Sequence, residues 1–170
     1  MTVSSRQVAE YLLACFDTLY RVLGEGAANL TNDAYVVRVY ESSRAFGAVA
    51  LELREYLDEP SAEPVAVLEE VLTRSLGDDR SGAMVLFALV VVVGPRLLIS
   101  LLDARNEPDL GALAPLCERA STVVLDEIRA SAEAAKSQLL IDDPVWQGTA
   151  RDLAETLERA GYVQSLGISR

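Results

Sequence analysis

Histidine is absent from all 170 residues. That removes Ser–His and Cys–His nucleophile pairs, histidine general bases and His-ligated metal sites. Cysteine is nearly absent too. Cys15 and Cys117 lie far apart, too few for a zinc site or a disulfide framework. Each falls in an apolar helical pattern, so both are expected as buried core thiols in a reducing compartment. Basic residues are in short supply: 15 Lys and Arg stand against 26 Asp and Glu, a formal net charge of -11. Such a surface repels phosphate backbones and has no basic patch for an anionic membrane, so nucleic acid is not an expected partner. The N-terminus, Met1-Thr-Val-Ser-Ser-Arg-Gln-Val8, has no apolar core of a signal peptide, and Gly161 to Arg170 holds no lipid-spanning run. The expectation is one soluble domain over residues 1–170 with no C-terminal membrane anchor.

What is present is helical periodicity. With 51% apolar residues and only 6 Pro and 10 Gly, the chain can bury a sizeable core. Ser4 or Ser5 can cap a first helix, and Val8, Leu12, Cys15, Leu19 and Val22 then recur at alternating steps of four and three, one face of a helix. Gly24-Glu25-Gly26 is expected to end it. Thr31-Asn32-Asp33 opens a second helix through Val36, Val39, Phe46, Ala50, Leu53 and Leu57, stopped by Pro60. Ser61 and Pro64 suit the start of a short third helix carrying Val67, Val71 and Leu72, ended by Gly77-Asp78-Asp79.

The next segment differs. Gly82 to Pro95 carries no charge, and Leu97 to Leu102 continues it after Arg96. A helix apolar all round belongs in the middle of a domain or in a membrane. Four consecutive valines alone suggest a strand, but no second strand is available to pair with it. A helix over about 82–102 is expected, kinked at Pro95. Asp103 to Asp109 reads as a polar connection. A long amphipathic helix follows, with Leu113, Cys117, Ala120, Val124 and Ile128 on one side. After the turn Asp142-Asp143-Pro144, a last helix sets Trp146, Ala150, Leu153, Leu157 and Ala160 in phase, with Gly161 at its end. The fold class is therefore all-α: a bundle with the apolar helix at its centre and amphipathic helices around it.

This order of elements resembles the Bcl-2 family over about residues 30 to 160. The nearest local match is Asp143-Pro-Val-Trp146-Gln-Gly148-Thr-Ala-Arg-Asp-Leu153, which keeps the tryptophan and following helix of the family's second homology motif but not its two glycines. Where the first motif has Asn-Trp-Gly-Arg, this chain has Arg80-Ser81-Gly82-Ala83, keeping only the glycine. Leu53-Arg-Glu-Tyr-Leu57-Asp58 has letters of the third motif, with Leu57 in place of its glycine, but lies too close to Gly82. Spacing favours Val36 to Glu41, where the letters fail, so a working motif of the chain's own is not expected. Divergent, often virus-encoded, survival-promoting members share that lack.

The resemblance implies a Bcl-2-like regulator of apoptosis, a host–virus factor if the chain is viral. A pro-apoptotic protein inserts its amphipathic BH3 helix (of the Bim, Bak or Bax type) into an apolar groove, is sequestered, and cell death is inhibited. The groove residues it points to are Phe46, Val49 and Leu53 on the second helix, Val71 on the third, and Val85 and Val90 on the central one. Arg80 would take the place of the family's arginine against the ligand's aspartate, with Gly82 as the point of close approach. The resemblance also implies a cytoplasmic protein that visits the mitochondrial outer membrane of a host cell, as a monomer or a helix-swapped dimer. For each apolar position the alternative is ordinary core, and for Arg80 a solvated charge at a helix start.

Other classes compete. Residues 82–102 approach the length of a membrane span, although Arg96 at its middle costs about 2.5–3.5 kcal/mol on insertion scales. A helical sensor enclosing a small apolar ligand is compatible with the pattern, but no cluster of polar groups is there to orient the ligand. Catalysis has only the adjacent pairs Glu69-Glu70 and Asp142-Asp143 to draw on. Neighbours on a helix point apart, and acidic residues before a helix start need no further explanation. Neither a catalytic group, a metal nor a cofactor is expected.

Overall fold

The computed structural model describes residues 4–159 as six α-helices and one 3-10 turn. Helix α1 spans Ser5–Ala28, α2 Asp33–Leu57, α3 Ala66–Ser75, α4 Asp79–Asn106, α5 Ala114–Ser137 and α6 Pro144–Arg159. Starts are set by local chemistry. Ser4 and Gln7 form a reciprocal capping box at α1, the Asn32 side chain accepts from the backbone of Ala34 and Tyr35 at α2, and Asp78 accepts from Ser81 at α4. Helix α3 has no side-chain cap.

Several boundaries differ from those expected, for packing or for capping reasons. Gly24 and Gly26 do not end α1; the helix runs on to Ala28. A Cβ on Gly26 would lie 2.7 Å from the Leu86 methyls, so the glycine lets α1 cross α4 closely. The second helix stops before Pro60, at Asp58, which takes the left-handed conformation with φ 57°. Ser61 and Pro64 precede the third helix rather than open it, since α3 begins at Ala66. The central helix is longer at both ends than 82–102, because Asp78 caps it early and Asp103 to Asn106 continue it in place of the polar connection. It continues as one helix through Pro95. The expected end of the last helix at Gly161, with Ala160, lies outside the described residues.

The two most extensive interfaces join helices that follow one another in sequence. Helices α1 and α2 form an antiparallel hairpin, with Phe16 against Phe46 at 5.9 Å between ring centroids. Helices α4 and α5 form a second one. A Cβ on Gly94 would fall 2.5 Å from Ile128, so this glycine sets their close approach. Helix α5 joins the hairpins through α2, where Arg38 and Ser42 both meet the Glu127 carboxylate in a largely enclosed site. Such a pair holds register more than it adds stability. Helix α6 then runs parallel to α4: Arg80 is bound to Asp143 near one end, and Arg96 pairs with Glu158 at 3.2 Å near the other. Helix α3 closes the remaining side against α1 and α4.

The core runs along α4, where Leu86, Phe87, Leu89, Val93, Leu97 and Leu101 are all buried. The chain is thus an all-α six-helix bundle around one long apolar, largely buried helix.

Candidate functional site

The proposed groove residues are present in the fold as core. Phe46, Val49 and Leu53 of α2, Val71 of α3 and Val90 of α4 are all buried, and Val85 is half-buried. Phe46 faces Phe16 of α1. Helix α3 rests on α1 and α4, with little contact to α2. The α2 and α3 residues therefore do not meet across one open trough. Apolar faces of neighbouring helices are satisfied by each other first, because water-exposed apolar surface costs about 25 cal/mol per Å².

Arg80 and Gly82 do come together, at the head of α4. Gly82 is packed so tightly that a Cβ would stand 2.7 Å from the Ser75 carbonyl oxygen at the end of α3. Its close approach is to the chain's own backbone. Arg80 is half-exposed and already engaged: its Nε donates to Asp143 Oδ2 at 3.0 Å and an Nη to the Leu139 carbonyl at 2.9 Å. The Val145 backbone N–H, followed by the Arg80 guanidinium, holds the Asp143 carboxyl below its ordinary range. Beside it, Asp79 accepts from the backbone N–H groups of Thr31 and Asn32 at 2.7 and 2.6 Å. The Thr31 bond is the main reason that its pKa is lowered. Asp79 thereby fastens the α1–α2 connection to the head of α4, where the helix dipole also favours a negative charge. Trp146 is buried at the start of α6.

Among the described residues no group of three or more His, Cys, Asp or Glu side chains is gathered for a metal ion. Cys15 and Cys117 are both buried and unbridged, and burial pushes the Cys117 thiol up to about 11. Several hollows lie on the surface, one of them beside Arg54, Asp58 and Pro60. Another of about 340 Å³ opens between α1 and α2 beside Tyr20, Tyr40 and Arg44, and one of about 480 Å³ between α3 and the end of α6 beside Val67, Glu70 and Arg159.

One further surface lies outside the expected groove. Val37, Tyr40, Arg44, Ala48 and Leu51 are all exposed on α2, opposite its buried side. Their spacing of three and four was available in the sequence as a second stripe, overshadowed by the stronger one through Phe46 and Leu53. No family model, no curated protein and no solved structure matches the chain.

Proposed function

We propose that the protein works by binding a helix of another protein, and that its role is Bcl-2-like: it holds the amphipathic BH3 helix of a pro-apoptotic protein and so inhibits cell death. The observation that carries this reading is the head of α4. There the half-exposed Arg80 guanidinium, held by Asp143, belongs to the same helix start as Gly82, which abuts the end of α3, the shortest of the six helices and one without a side-chain cap. Leu68 and Val71 of α3 are buried in the core. A partner helix that displaces α3 would meet the apolar bed those side chains now cover, and its aspartate would exchange with Asp143 for Arg80. Removing Leu68 and Val71 from the core costs about 1.5–3 kcal/mol each, which equivalent anchors on the incoming helix offset.

Calorimetric titration with a synthetic helix of about 26 residues bearing Leu-x-x-x-Gly-Asp tests it. Nanomolar to low-micromolar binding is expected, abolished by Leu→Glu in the peptide and weakened by Arg80→Ala in the protein. No binding across a panel of such helices overturns the reading.

A second reading is favoured by α4 itself, which is long and apolar enough to cross a membrane by length and composition. Triggered insertion of residues 82–102 would then be the activity, read as dye release from anionic vesicles. Release at neither neutral nor acidic pH would remove it.

A further inference from the structure

We propose that the outer face of α2, together with the hollow beside it, is a second docking surface, and that its occupant is an amphipathic helix of a partner protein carrying a carboxylate between its apolar residues. The inference shares with the reading above only the class of partner, a helix, and places it on the opposite side of α2 from the buried core face.

The starting point is an outer helix face with the wrong polarity. One side of α2 packs into the bundle through Val39, Phe46, Ala50 and Leu53. The side away from them should be charged. Instead Val37 is 54% exposed, Tyr40 54% and Leu51 53%, with the exposed Ala48 between the last two. These residues and Arg44 are spaced three or four apart, so they form one continuous stripe about 21 Å long, four turns of helix. Single exposed apolar side chains need no explanation, but an ordered row of them marks a contact surface.

Arg44 says what the contact must contain. It stands at the middle of the stripe and makes no ion pair or hydrogen bond among the described residues. Arg129, Lys136 and Arg151 likewise make no ion pair or hydrogen bond among the described residues, but of these four cations only Arg44 lines the hollow beside the stripe. The acidic neighbour one turn before it, Glu41, is taken by Arg38 at 3.1 Å, and Glu25 on the rim of the hollow makes no ion pair with Arg44. The hollow of about 340 Å³ opens directly beside the guanidinium, walled by Tyr20 and Tyr40 and floored at Ser43 and Gly24. The Tyr20 ring lies over Gly47, where a Cβ would come within 2.7 Å of it. Ser43 is fixed, donating to the Tyr20 carbonyl at 2.7 Å. The hollow has room for one large apolar side chain next to the position a carboxylate would take on Arg44. A desolvated Arg–carboxylate pair flanked by aromatic anchors is the usual composition of an interface centre.

A second copy of this chain fits less well. Two α2 stripes paired antiparallel about their midpoints would bring two Arg44 guanidinium groups together, and two chains of net charge -11 repel. A partner helix with a single acidic residue on its apolar seam has neither problem.

The test uses the full chain and a capped, fluorescein-labelled helical peptide of about eighteen residues. It has leucines at heptad a and d positions, one aspartate replacing the central leucine, and a balanced Glu/Lys outer face. Anisotropy titration is expected to show saturable binding, weakened at least about tenfold by Arg44→Glu and by Leu51→Glu. A peptide with lysine in place of the aspartate should restore binding to Arg44→Glu and bind the unaltered chain weakly. All these side chains are exposed, so the variants should keep the native melting temperature, checked by circular dichroism. Failure of both peptides to bind, or binding that Arg44→Glu and Leu51→Glu leave unchanged, overturns the inference. If Arg80→Ala rather than Arg44→Glu weakens the peptide, the site is the head of α4: the proposed function stands and the second surface does not.

Discussion

The two halves of α4 have similar composition and different surroundings. In the first half, from Gly82 to Val90, every residue but Val85 is buried. Helix α1 crosses on Gly26, Tyr35 of α2 meets Phe87 edge-on at 6.2 Å, and α3 ends against Gly82. In the second half α5 still covers one side, where Leu97, Leu101 and Ala104 are buried, but Pro95 is exposed and Ile99 is 59% exposed. The change comes where Arg96 reaches Glu158, next to the last described residue of α6. Hydropathy alone describes both halves in the same way. The number of helices packed around each decides which half is core.

That comparison can be broken most forcefully at Phe87. Phe87→Ala in the enclosed half should cost about 3–5 kcal/mol, read from the midpoint and slope of urea unfolding. A loss below about 1 kcal/mol would mean that the first half is not tightly packed. Gly82→Ala comes next. Its added Cβ meets a backbone oxygen that cannot rotate away, so about 1–3 kcal/mol should be lost even though a helix otherwise favours alanine. Stability equal to or above that of the unaltered chain would show that α3 does not rest where described.

Acid should act on the same end of the helix. Asp78, Asp79 and Asp143 have folded-state pKa values depressed below their ordinary ones. The unfolded chain therefore takes up protons first. The stabilisation from these groups is fully present above the ordinary carboxylate range and is lost as pH falls through the depressed values. The melting temperature should drop from pH 6 toward pH 3, and Asp79→Asn should flatten that drop. An unchanged profile in Asp79→Asn would show that its bonds to Thr31 and Asn32 contribute nothing. The smallest effect belongs to the open half: Ile99→Ser should change stability by less than about 0.5 kcal/mol. A loss of 2 kcal/mol or more, on the order of a core truncation, would mean that Ile99 is covered in solution.

Much of this architecture was legible in the sequence. Asn32, the alternating steps from Val8 to Val22 and the uncharged run after Gly82 all report local physics, and local physics placed the helices. The glycines were misread because the sequence does not distinguish a glycine that ends a helix from one that admits a neighbour. Gly26 lies under Leu86, sixty residues away in the chain. The candidate site was legible only in part, for a related reason. An apolar stripe on a helix says that something covers it but not whether that cover is α1 or a partner. For Phe46 the cover is Phe16, whereas for Tyr40 and Leu51 no part of the described bundle fully provides it. Arg80 and Gly82 share the head of α4 because they are close in sequence, but Asp143 and the Ser75 carbonyl arrive from segments whose distance in space no periodicity reveals.

The pairing of sequence neighbours into two hairpins, α1 with α2 and α4 with α5, has a kinetic consequence. Each hairpin can close over a connection of only a few residues, so little chain entropy is lost before its contacts begin to form. Chains dominated by such local contacts fold in microseconds to milliseconds. Docking the two hairpins through Arg38, Ser42 and Glu127 would then be the slower step. Native-state hydrogen exchange should divide accordingly. Amides of α3, which is part of neither hairpin, would exchange through a low-energy opening, and those of α4 and α5 only through global unfolding.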